Sequence, residues 1–161
     1  MKKKIWIPLL ILAVLVLVVS LRLRPRTLEQ VTGLELDHLT GLSGSVTEGG
    51  ITNGTAYMDH YKTPSLTPED EEFAALLALA EPLRFRPSLW PFPRDSVSSG
   101  SAEGSYLHLV SGMDSAWLNI YDNGTIIVSP AEGEGFLVYY LTDLELYEPL
   151  FSYIKTHGEK N

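Results

Sequence analysis

The chain has 161 residues, no cysteine and a formal net charge of −8. The absence of cysteine excludes disulfide frameworks, thiolate metal sites and cysteine nucleophiles. Residues 1–26 carry six basic groups and no acid, whereas the remainder has six basic against twenty acidic residues, a net of −14. Such a domain repels phosphate backbones, so no nucleic-acid partner is expected.

The chain opens with MKKKIWIPLLILAVLVLVVSLRLRPR, in which Ile5 to Leu21 are uncharged and mostly Leu, Val and Ile. As a helix this run spans roughly 26 Å, close to a bilayer core of about 30 Å. Arg22 and Arg24 snorkel to the interface, and Trp6 stands where an interfacial aromatic is expected. A cleaved signal peptide has a shorter apolar region, and here only Val18-Val19-Ser20 resembles a cleavage site. A buried helix would show a polar face. The expectation is a single-pass anchor contacting the bilayer through residues 5–21. Lysines at the N-terminus predict that the acidic domain is extracytoplasmic. The expected domains are residues 1–26 as a signal-anchor with basic flanks, 27–33 as a juxtamembrane linker, 34–157 as an α+β domain and 158–161 as a tail.

Loose alternation predicts strands over about 34–47 and 55–61, joined by the glycine-rich turn EGGITNG. A helix is expected from Thr67 as N-cap, with Pro68 at N1, Asp70 completing a capping box, and Pro82 ending it. Phe73, Leu76, Leu77 and Ala80 form its apolar stripe. The acidic run 69–72 complements the helix dipole and is not read as a metal site. A short strand, LRFRPS, precedes a proline-aromatic corner, LWPFP, and a Ser/Gly-rich loop. From residue 105 the pattern becomes a β-meander. AWLNIY-DNGT-IIVS predicts a hairpin with a two-residue Asn123-Gly124 turn. That register sets Trp117, Asn119, Tyr121, Ile126 and Val128 on one face and Leu118, Ile120 and Ile127 on the other. FLVYYLTD adds a strand. The last helix carries Tyr147, Leu150, Phe151 and Ile154 in a stripe, with Thr142 and Glu145 as a possible capping box. Pro149 either kinks a helix begun at Asp143 or opens one of its own. The fold class is α+β: a transmembrane helix, then a mainly antiparallel sheet with two amphipathic helices on one face.

The chemistry is sparse. Asp37-His38 and Asp59-His60 are adjacent pairs, and neighbouring strand residues point to opposite faces. Only across a hairpin would Asp37 meet His60, or Asp59 meet His38, to make a metal or acid-base site. His108 sits mid-strand between Tyr106 and Val110, where a half-buried histidine is the default. His157 lies near a helix C-terminus, where a cation is favoured. No G-x-S-x-G, S-x-x-K, P-loop or H-E-x-x-H motif occurs. Asn53 and Asn123 stand in glycosylation sequons, but both open Asn-Gly turns. Trp90 and Phe92 sit between prolines as either a lid over the core or a contact loop.

The basic start and apolar run, PEDEEFAALLALAE, AWLNIYDNGTIIVS and VYYLTDLELYEPLFSYI together resemble, in layout, small membrane-anchored extracytoplasmic proteins of Gram-positive bacteria. The resemblance implies a tethered envelope domain and assigns no functional residue. The expected function is a non-enzymatic, membrane-tethered module that binds a protein, peptide or envelope component, with no cofactor. The alternatives are a cell-envelope hydrolase built on Asp/His groups and an accessory subunit of a membrane complex.

Overall fold

The computed structural model describes residues 3–88, 104–133 and 135–161. Helix α1 spans Lys3–Arg22, with side chains described at Trp6 and from Pro8 onward. Among the described residues no helix is long and apolar enough to cross a membrane. A short helix, α2 (Leu28–Thr32), follows. Strands β1 (Gly41–Thr52) and β2 (Thr55–Lys62) precede helix α3 (Glu71–Ala80) and strand β3 (Phe85–Pro87). Strands β4 (Gly104–Ser111), β5 (Asp114–Tyr121), β6 (Thr125–Ser129) and β7 (Leu137–Leu141) form a meander. Helix α4 (Tyr147–His157) and strand β8 (Glu159–Lys160) close the chain. All eight strands join one antiparallel sheet in the order β3-β7-β6-β5-β4-β1-β2-β8. The domain is α+β.

One face of the sheet carries the core: Leu42 and Val46 from β1, Leu107 and Leu109 from β4, Leu118 and Ile120 from β5, Ile126 and Val128 from β6. Leu150 and Ile154 of α4 and Phe73, Leu76 and Ala80 of α3 complete it. Helix α4 lies so close to β1 that a Cβ on Gly44 would stand 2.8 Å from Ile154 Cδ1. Gly44 therefore sets the helix-to-sheet distance.

Several expectations need correction. The residues expected as a linker form α2, because Thr27 and Gln30 make a reciprocal capping box and Leu28 and Val31 are buried. Strand β1 starts and ends later than expected. Residues 36–38 form a 3-10 turn, and EGGIT belongs to the strand, leaving only Asn53-Gly54 as the turn. Both turn residues have positive φ, 52° and 79°, as a type I′ turn requires. Helix α3 begins at Glu71, not near Thr67. The Asp70 carboxylate accepts from the backbone N–H and hydroxyl of Thr67 and closes a separate turn before the helix. Ahead of α4, Asp143 caps a 3-10 turn over Leu144–Leu146, while the Thr142 hydroxyl donates to the Arg84 carbonyl instead. Pro149 is the third residue of α4, where its missing N–H has no intrahelical acceptor. Residues 159–160 of the expected tail pair with β2.

The largest correction is the β5–β6 register. Leu118 opposes Val128 and Ile120 opposes Ile126, so the loop holds three residues, Asp122-Asn123-Gly124. Among the described residues Asn53 is the one non-glycine with positive φ, so Asn123 does not adopt the left-handed region; Gly124 does, at +76°. The Gly124 N–H donates to the Tyr121 carbonyl at 2.9 Å, and the Asn123 side chain accepts from the Thr125 N–H at 2.9 Å. This is a tight turn followed by a left-handed glycine. The one-residue change moves Ile126 and Val128 into the core and Ile127 to the opposite face. Ile126→Ala is expected to cost about 2–5 kcal/mol in urea unfolding, and Ile127→Ala about 1 kcal/mol or less. The two-residue register would reverse that ranking.

Candidate functional site

The polar residues singled out in the sequence do not converge. His38 lies on the 3-10 turn, with Nδ1 2.8 Å from the Glu35 carboxylate, and both side chains are exposed. Its carbonyl accepts from the Ser111 hydroxyl at 2.9 Å, beside the β4–β5 turn. Asp59 opposes Glu48 and pairs with Lys160 at 2.8 Å. His60 opposes Thr47 and shares a hydrogen bond with its hydroxyl at 3.2 Å. The expected Asp37–His60 and Asp59–His38 meetings do not form, because residues 37 and 38 precede the strand that would have carried them to β2. His108 opposes Ser43, four residues from Thr47 along β1 and two strands from β2, which separates it from His60 by roughly 16 Å. Among the described residues no group of three His, Asp or Glu side chains could hold a metal ion. His157 is at the end of α4, stacked on Tyr153 with its Nδ1 3.0 Å from the Tyr153 carbonyl. Trp90 and Phe92 lie outside the described residues.

What the fold does assemble is the sheet face opposite the core. The register aligns His108 with Trp117, and Tyr106 with Asn119 and Ile127, then Val138. Trp117 is 44% exposed and its neighbours on this face are half-buried. The His108 and Trp117 rings meet edge-on at 5.7 Å, and Tyr106 stands 6.2 Å from the same indole. Such geometries are favourable between aromatic rings, so the three form a braced platform. Burial pushes the Tyr106 phenol up, keeping it protonated. Burial, and secondarily the Lys62 ammonium, holds the His108 imidazolium below the ordinary histidine value. His108 is therefore neutral at pH 7.

Beside the platform a cavity of about 380 Å³ is lined by Ser43, Lys62, Ser65, His108, Glu159 and Asn161 among others. Ser43 stands directly opposite His108, yet no hydrogen bond joins them. A Ser–His nucleophile needs that bond or a route to it, and a third group to orient the imidazole. The face thus offers contact chemistry: flat aromatic surface, an amide at Asn119 and a neutral imidazole. Of its residues, sequence reading singled out His108 alone. Tyr106 and Trp117 were available from the alternation of β4 and β5, whose polar-looking face is the one carrying the aromatics; Lys62, at the end of β2, was not.

The sign of the His108 perturbation gives a test. Between its lowered folded value and the unfolded value of 6.5, the unfolded chain binds a proton that the folded chain refuses. This contribution to stability is complete above pH 6.5 and declines as pH falls through that window. Urea midpoints measured from pH 7.5 to 5 should fall less steeply in His108→Gln than in the parent. In Lys62→Met, the NMR titration of His108 should move upward.

Comparison with protein-family models, with curated proteins and with solved structures finds no match.

Proposed function

We propose that the protein is a membrane-tethered, extracytoplasmic binding domain that engages a protein or peptide through its open sheet face and performs no catalysis. The observation that carries the tether is α1. Twelve large apolar side chains, from Trp6 to Leu21, are 45–74% exposed along it, while the core of the domain is closed. Water does not stably cover an apolar surface of that extent, and a lipid bilayer does. The helix backbone runs for 20 residues, about 30 Å, the order of a bilayer core, although among the described residues no helix is long and apolar enough to span one. Basic groups at Lys2, Lys3 and Lys4 favour an inside N-terminus, which leaves the acidic domain outside.

The binding reading rests on the Tyr106–His108–Trp117 platform. Tryptophan and tyrosine are the side chains that most often anchor protein interfaces. The alternative of an envelope hydrolase lacks support in the geometry, since His38, Asp59, His60 and His108 stand apart and each has a different neighbour. The alternative of an accessory subunit differs in using α1 itself as the contact. Exchange of residues 5–21 for an unrelated apolar helix preserves function in the binding-domain reading and abolishes it in that one.

The full-length chain is expected to sediment with membranes and to resist an alkaline carbonate wash. Replacing Leu15 and Val16 with arginine should release it. External protease should remove the domain from wall-permeabilised cells. A chain that stays dispersed after cell breakage, or a domain fully protected from protease, overturns the proposal.

A further inference from the structure

The two outer edges of the sheet are treated differently. At one end β3 is three residues long and holds Arg86 and Pro87, and its outer side is already bridged at Phe85 by Arg26. Short length, charge and proline are the usual devices that keep a sheet edge from recruiting another strand. At the other end β2 is eight residues long, and β8 covers only part of it. Tyr61 and Lys62 pair with Lys160 and Glu159, and the Asn161 N–H reaches the His60 carbonyl at 2.9 Å. That bond shows that His60 directs its backbone groups outward. By the two-residue period of a strand, Met58 and Ala56 direct theirs the same way. Among the described residues nothing pairs with them.

No protective device is present on this stretch. Residues 49–58, GGITNGTAYM, carry no charge and no proline in a domain that is otherwise strongly acidic. The β1–β2 register is unbroken from Ser45↔Lys62 to Thr52↔Thr55, so there is no bulge. Met58 and Ile51 are exposed on the same side of this arm, 66% and 75% respectively.

We propose that the free edge of β2 at Ala56–Met58 binds an extended segment of a partner protein by strand addition, in line with β8. The backbone donors and acceptors of Ala56 and Met58 stand in strand geometry, and the element that satisfies such a row is another extended chain. The incoming strand sets an aliphatic side chain beside Met58, on the side of the sheet that Ile51 also faces, and the net charge of the domain favours basic residues flanking it. A second copy of this chain fits less well. The antiparallel register that joins Ala56 to Met58 of a second copy places Gly54 of that copy opposite His60, where Asn161 already lies. Two domains of net −14 also repel. The β2 edge is distinct from the Tyr106–His108–Trp117 platform, although Met58 and Ile51 lie on the same side of the sheet, and strand addition there needs no membrane.

The test uses the full chain in detergent micelles. The probe is a Thr-Val repeat heptapeptide with a lysine at each end, and its twin with alternate backbone amides N-methylated. The plain peptide is expected to bind and to slow amide exchange at Ala56 and Met58. The N-methylated twin should bind about tenfold more weakly or worse, since its strand-pairing donors are gone. Ala56→Pro, which removes an outward N–H and leaves the bonds to β1, should weaken the plain peptide by a similar factor; the methylated twin gives the same answer without altering the protein. No binding, equal binding of the two peptides, or protection that maps away from β2 overturns the proposal. A peptide-free dimer that Ala56→Pro abolishes also overturns it, by making the second copy the occupant.

Discussion

The architecture depends on one backbone constraint, the left-handed conformation of Gly124 at the β5–β6 turn. Its φ of +76° is strained for any residue with a side chain. A Cβ there would also stand 2.8 Å from Leu144 Cδ2, and its carbonyl accepts from the Leu141 N–H at 2.8 Å. The turn therefore fixes β6 against β5 and meets the chain that leads into α4. Because side chains alternate along a strand, this one position decides which face of β6 joins the core face of β5. Ile126 and Val128 join Leu118 and Ile120 beneath the helices. Trp117, Tyr106 and His108 are left together on the other side.

A second contact carries that choice into the helical layer. Ile154 of α4 rests on the bare backbone of Gly44, and the Ser105 hydroxyl of β4 donates to the Tyr147 phenol oxygen at 3.2 Å. Apolar burial at this seam dominates the energetics. The Lys155–Glu48 pair at 2.7 Å is partly solvent-exposed and contributes little by comparison. The same helix delivers Glu159 and Lys160 to the side of β2, so its seat on β1 also determines how much of the outer edge is covered.

Much of this was legible in the residues. The amphipathic stripes of α3 and α4, the meander, and the α+β class all follow from periodicity. The errors have physical causes. The dipeptide Asn-Gly serves both a two-residue turn, as at Asn53-Gly54, and the end of a three-residue loop, as at Asn123-Gly124. The arbiter was the uniformly aliphatic set Leu118, Ile120, Ile126 and Val128, which belongs on one face. Gly49 and Gly50 of β1 read as turn, yet Gly50 lies in the strand under the Tyr57 ring, whereas Gly44, within the expected strand, admits Ile154. Helix α2 is one turn long, too short for a hydrophobic period, although Thr27 and Gln30 wrote its cap plainly. The Asp-His doublets drew attention by adjacency in sequence, which in a strand is the arrangement that separates side chains. Alternation shows which side of each strand the aromatics occupy, but their meeting is a property of the β4–β5 register, which the sequence does not fix.

The bridge between Arg26 and Phe85 has a mechanical consequence. Two backbone hydrogen bonds, of 2.8 and 3.0 Å, clasp Arg26 to β3, and only residues 23–25 separate it from the end of α1. Three residues reach roughly 10 Å at full stretch, so whatever grips α1 grips the β3 margin almost directly. The opposite margin lies seven strand spacings away, roughly 33 Å. Any rotation about the clasp is carried to the distal rim over that lever arm, so the two margins of the sheet differ in reach.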